Sequence, residues 1–157
     1  MKNVLIAAVI STMAMTTMAH GIPSAPKWFA HGDIEEDGAV IFGQRITPTK
    51  DLLILLEDNG QSMPAIVSYD SKDIDACEPD TTSTIKVADV DVAMRTICNP
   101  RSMLRMPVSE VGKKVFYEKV IHNRDDQIQM DDETIYTMDE GTTQHYLNTV
   151  LQMKMTR

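Results

Sequence analysis

Cysteine, aromatic side chains and positive charge are all scarce in this sequence, and each scarcity excludes something. Cys77 and Cys98 are the only two cysteines. A zinc site needs more ligands near each cysteine and a dithiol redox site wants Cys-x-x-Cys, so the pair reads as one structural disulfide. Lys and Arg number 15 against 23 Asp and Glu, a formal net charge of −8. Nucleic-acid affinity comes from cations that neutralise phosphates, and attraction to anionic lipid has the same origin, so neither partner is expected. Catalytic motifs are missing too. There is no Gly-x-Ser-x-Gly elbow, no His-Glu-x-x-His and no glycine-rich phosphate loop. The four histidines, His20, His31, His122 and His145, include no two at metal-ligand spacing. An enzyme, a metal and a cofactor are therefore not expected.

The positive signals begin at the N-terminus. Met1-Lys2 is succeeded by an apolar run over residues 4–10, a weaker stretch to Met18, and the small-residue site Thr17-Met18-Ala19 before His20. This is the three-part layout of a secretory signal over residues 1–19. Its strongly apolar part is too short to span a bilayer, which takes about 20 residues. Export would place Cys77 and Cys98 in an oxidising space that favours their pairing. The chain beyond the signal is of single-domain size.

Short β-like runs then alternate with turn signals. Ala39-Val40-Ile41-Phe42 ends at Gly43, and Leu52-Leu53-Ile54-Leu55-Leu56 ends at Asp58-Asn59-Gly60. Residues 65–69 come after Pro64. Over residues 84–97, Ile85 and Val87 hold one phase and Val90, Val92 and Met94 the other, so a break or bulge is expected near Ala88. Residues 103–108, 113–121 and 134–138 are further strand candidates. The last segment, residues 144–155, alternates through Leu147, Leu151, Met153 and Met155 and favours a strand. A helix is its rival, because Leu147, Val150, Leu151 and Lys154 fit a 3.6-residue period in part. Many short strands with turns between them predict an all-β domain of β-sandwich type. Seven acidic residues between Asp125 and Glu140 lack the spacing of a calcium loop and read as a solvated face. The methionines are scattered and read as flexible core filler.

Residues 20–32 carry Pro23 and Pro26 and are expected to be extended rather than helical. Trp28, Ala30, Gly32 and Ile34 share one phase of such an arm, with Ile22 upstream. An arm of this kind can add as a strand to another molecule's sheet, and Gly32 would let two backbones approach closely. An ordinary first strand is the plainer possibility.

Residues 50–69, with the apolar run, the Asn59-Gly60 turn, Met63-Pro64 and the second run, resemble the early strands of fimbrial subunits of the chaperone–usher class. The nearest flavour is the alpha-type group related to colonisation factor antigen I. Gly141 and Tyr146 with the apolar residues through Met155 are similar to the closing strand of such subunits. Phe29-Ala30-His31-Gly32-Asp33-Ile34 is similar to the passage from donor arm to first strand. The match covers about a third of the mature chain, and the two cysteines depart from it. The resemblance implies an immunoglobulin-like β-sandwich lacking its final strand. A periplasmic chaperone would fill the groove first, and at the outer-membrane usher the arm of a neighbouring fimbrial subunit would replace it. The physical logic is that an open groove exposes an apolar stripe and unpaired backbone groups.

These readings divide the chain into three segments: a signal over 1–19, a candidate donor extension over 20–34 and a β-sandwich domain over 35–157. In the first functional reading the chain is a structural or adhesive fimbrial subunit that passes through the periplasm to the cell surface. Ile22, Trp28, Ala30, Gly32 and Ile34 would form its donor arm, and Leu147, Leu151, Met153 and Met155 would border its acceptor groove. The alternative is a self-contained exported β-sandwich that binds or inhibits a partner in the periplasm.

Overall fold

The computed structural model describes residues 27–32, 39–57 and 61–155. The signal, its cleavage site, Ile22, Ile34 and the Asn59-Gly60 turn lie outside these residues. Among the described residues nine strands form one antiparallel sheet: β1 (Phe29–His31), β2 (Ala39–Thr47), β3 (Lys50–Glu57), β4 (Ser62–Ser68), β5 (Thr82–Val87), β6 (Val90–Asn99), β7 (Ser102–Pro107), β8 (Gln127–Met130) and β9 (Glu133–Tyr136). Their order across the sheet is β1-β2-β3-β4-β7-β6-β5-β8-β9. The sheet curls into a half-barrel, so that β2 and β9, far apart in this order, come into contact. The domain is all-β in its framework. Among the described residues its concave side is faced by helices, not by a second sheet.

Alternation decides which residues enter the concave core. Val40 and Phe42 on β2, Leu52, Ile54 and Leu56 on β3, and Ile85, Val87, Val92 and Met94 on β5 and β6 are all buried. Fully burying each such side chain contributes about 1.5–3 kcal/mol relative to leaving it exposed. The expected break falls at Ala88, which with Asp89 makes the two-residue turn between β5 and β6. Ala88 sits in the left-handed region, at φ 55°, and its amide donates to the Gln129 carbonyl at 2.7 Å. The strands expected around residues 39–42, 52–56, 65–69, 103–108 and 134–138 are present, some with shifted ends.

Two expected strands are helical. Residues 113–121 form α2 (Glu110–Phe116, coming after the short α1, Ser71–Asp75) and a π-helical turn (Tyr117–Ile121). The Ser109 hydroxyl caps α2 by accepting the Gly112 amide, and Phe116, Val120 and Ile121 then point into the core. Alternation along the segment is incidental to this inward-facing set. The segment expected as the closing strand is α3 (Glu140–Met155). Its buried residues are Tyr146, Thr149 and Met153, at helical spacing. Asp139 caps it, accepting the Thr142 amide at 2.9 Å and the Thr142 hydroxyl at 2.8 Å. Phe42 meets the Tyr146 ring edge-on at 5.6 Å, which seats α3 on the concave side.

Cys77, just beyond α1, is bonded to Cys98 on β6. The expected disulfide is therefore present, and it is compatible with an oxidising, exported environment.

Candidate functional site

The seam between β2 and β9 is where the N-terminal segment, the sheet and α3 converge. Gln44 continues the inward phase of Val40 and Phe42 and is 1% exposed. A buried amide must find partners, and Gln44 finds them on the backbone of β9. Its Nε2 donates to the Tyr136 carbonyl at 2.6 Å, and its Oε1 accepts the Tyr136 amide at 2.9 Å. One side chain thus makes the rung that a neighbouring strand would supply. Below it, Lys50 Nζ lies 2.7 Å from Glu133 Oε1, tying β3 to β9.

Trp28 closes the same seam. It is 3% exposed, and its indole N–H is shared between the carbonyls of Tyr136 and Thr137, each at 3.2 Å. Directly after it, β1 pairs with β2 in the register Phe29 to Gly43, Ala30 to Phe42 and His31 to Ile41. Gly32 then passes so close to the chain that an added Cβ would lie 2.6 Å from the Ala39 carbonyl oxygen, at a φ of +98°. The close backbone approach expected at Gly32 is therefore made within its own chain. Of the arm residues described, Trp28 is in the home core, while Ala30 and Gly32 are exposed.

The four residues expected to border an acceptor groove lie on α3, not on a strand, and the helix separates them. Met153 is buried in the core, at 1% exposure. Leu147, Leu151 and Met155 are exposed and fall on a different face, at steps of four residues.

Beside the seam lies a groove of about 680 Å³. Tyr136, Thr137 and Met138 line it, residues 122–126 form one wall, and Asp139, Glu140, Thr143 and Gln144 at the start of α3 form the other. The floor is tied to the first wall and to the turn before it. Thr137 N donates to the Asp126 carbonyl at 3.1 Å, the Thr137 hydroxyl bonds the Asp125 carbonyl, and Met138 N donates to the Val120 carbonyl at 2.9 Å. His122 Nε2 lies 2.7 Å from the Tyr117 hydroxyl. Lys27 Nζ sits 3.8 Å above the Tyr136 ring.

The rim carries Asp125, Asp126, Asp139 and Glu140 against Lys27 and Arg124, so its charge is negative on balance. The Thr142 amide holds the Asp139 carboxyl below the usual carboxylate range, outweighing the opposing effect of partial burial. Burial raises the Tyr146 phenol, so it stays neutral. Among the described residues no three His, Cys, Asp or Glu side chains are grouped to hold a metal ion. The groove offers hydrogen-bonding groups, an aromatic side chain and a negative rim.

Sequence reasoning did not single out Gln44 or Tyr136, and it read the rim carboxylates Asp125, Asp126, Asp139 and Glu140 as a solvated acidic face. Gln44 did carry a signal, as a lone amide on the apolar phase of β2. Tyr136 and Thr137 act through their main chain and carried none. No protein-family model, curated protein or solved structure matches this chain.

Proposed function

We propose that this chain is a self-contained exported binding module, whose groove beside Tyr136 receives a polar or positively charged segment of a partner. No catalytic step belongs to this reading. The observation that carries it is the seam. Trp28 and β1 are spent within their own sheet, so the fold is completed by its own N-terminal segment. The negative rim of the groove is the feature offered to the partner.

The fimbrial reading is the alternative, with its chaperone, usher and neighbouring subunits. It requires the arm to leave, which would strip Trp28 from its pocket and unpair the edge of β2. The unpaired outer edge of β1 in the described sheet is what speaks for it, since such an edge accepts added strands. Deleting residues 20–32 separates the two. For a self-contained module the deletion lowers thermal stability, and neither chain forms open-ended polymers. For a fimbrial subunit the intact chain polymerises or needs a chaperone, and the deletion stops polymerisation. Polymers that grow with concentration and vanish on deletion would overturn the proposal.

A further inference from the structure

We propose a second binding site, independent of the groove, at Arg105: a cleft for a small carboxylate that also carries a hydroxyl or ammonium donor. The register of three strands builds it. Lys50 on β3 pairs with Ser68 on β4, and Ser68 pairs with Met103 on β7. Directly paired residues present their side chains on the same face of a sheet, so these three form a row. One step along, Ile66 pairs with Arg105, and Arg105 with Thr96 on β6. Ile66 and Thr96 are buried on the concave side, which places Arg105 there as well.

Lys50, Ser68, Asp73, Met103 and Arg105 line a cleft of about 210 Å³, with Ile66 among them. The polar groups in it are unequally satisfied. Lys50 is engaged by Glu133, and the Ser68 hydroxyl donates to Asp73 Oδ2 at 2.6 Å. Arg105 is half-buried, and among the described residues no carboxylate or carbonyl accepts a hydrogen bond from its guanidinium. A guanidinium that donates to none of these protein acceptors keeps its five donors for a ligand, and a carboxylate can take two of them in parallel bonds. The Lys50 ammonium has donors left for the same anion. Such a cation is notable in a chain whose net charge is −8.

Asp73 sets the rest of the specificity. Its carboxylate lines the same cleft, so a simple dianion would meet repulsion there. A ligand with a hydroxyl or ammonium at its far end would instead donate to it. The cleft volume admits a molecule the size of lactate or alanine.

The test is titration of the full mature chain with lactate, L-alanine, acetate and inorganic phosphate, read by amide NMR shifts at Ser68, Met103 and Arg105. Lactate or alanine should give saturable shifts at these residues, with acetate and phosphate weaker. Arg105→Gln should weaken binding by about tenfold or more. Arg105→Lys keeps the charge without the fork and should also weaken it, which guards against a folding defect in the first variant. Asp73→Asn should narrow the gap between lactate and acetate. Absence of saturable shifts with all four probes, or shifts that survive both Arg105 variants, would overturn the proposal. Neither result bears on the groove, which contains none of these residues.

Discussion

Gln44 stands in for a strand at Tyr136: its side-chain amide donates to the carbonyl of that residue and accepts its amide, closing the seam between β2 and β9. Replacing it with methionine keeps much of the volume and removes both bonds. The Tyr136 amide then loses its partner in a part-buried setting, which costs about 1–3 kcal/mol, while its carbonyl keeps the Trp28 indole. Gln44→Met should therefore lose about 1–3 kcal/mol in urea unfolding. A loss below about 0.5 kcal/mol would mean that water replaces the rung without penalty.

Trp28 is the sole tryptophan, so its fluorescence reports this seam alone. Folded protein should emit at short wavelength and shift to longer wavelength on unfolding. Trp28→Ala should cost about 3–5 kcal/mol through the cavity it leaves. Trp28→Phe retains most of the packing and loses the shared indole bond, so its cost should be clearly smaller.

Gly32 holds a left-handed backbone against the Ala39 carbonyl. Gly32→Ala forces both a strained φ and a clash with main chain that cannot rotate away. A loss of about 1–3 kcal/mol is expected, read as a lower urea midpoint.

The Cys77–Cys98 bond closes a loop of sequence separation 21. Replacing both cysteines with alanine frees that loop in the unfolded chain and should cost about 3 kcal/mol. Equal urea midpoints for the two proteins would show that the loop is equally constrained without the bond.

Asp139 gives a pH signature. Its carboxyl binds its proton less readily in the folded chain than in the unfolded one, chiefly because of the Thr142 amide. The stability it contributes is thus fully present above the ordinary carboxylate pKa of about 4 and lost as pH falls through the lower folded value. Asparagine also caps helices but does not titrate in this range. The stability difference between the native chain and Asp139→Asn should therefore move against the native chain as pH falls from about 5 to about 2. The shift should be small, because the carboxyl is exposed to solvent.

The strands were readable where local alternation matched the final pleat. Val40 and Phe42, Ile85 and Val87, and Val92 and Met94 all fall on the buried side as their period of two requires. The break at Ala88 was readable for the same reason. Two helices were read as strands, the second with a helix as its stated rival, where two periods overlap. In residues 113–121, Val115, Tyr117 and Ile121 alternate, yet Gly112, Phe116 and Val120 repeat every four residues, and the Ser109 cap selects the second pattern. In α3 the alternation of Leu151, Met153 and Met155 competes with Tyr146, Thr149 and Met153, and the Asp139 cap decides it. The curl of the sheet and the groove beside Tyr136 depend on pairing between residues 92 apart in sequence, which no local pattern encodes.

Whether Trp28 is held by its own chain is tested most directly by hydrogen exchange of its indole N–H. The single indole resonance should exchange slowly in native buffer, with protection that does not change on dilution. Rapid exchange in the dilute chain, with protection appearing only as molecules assemble, would contradict a fold completed by its own N-terminal segment.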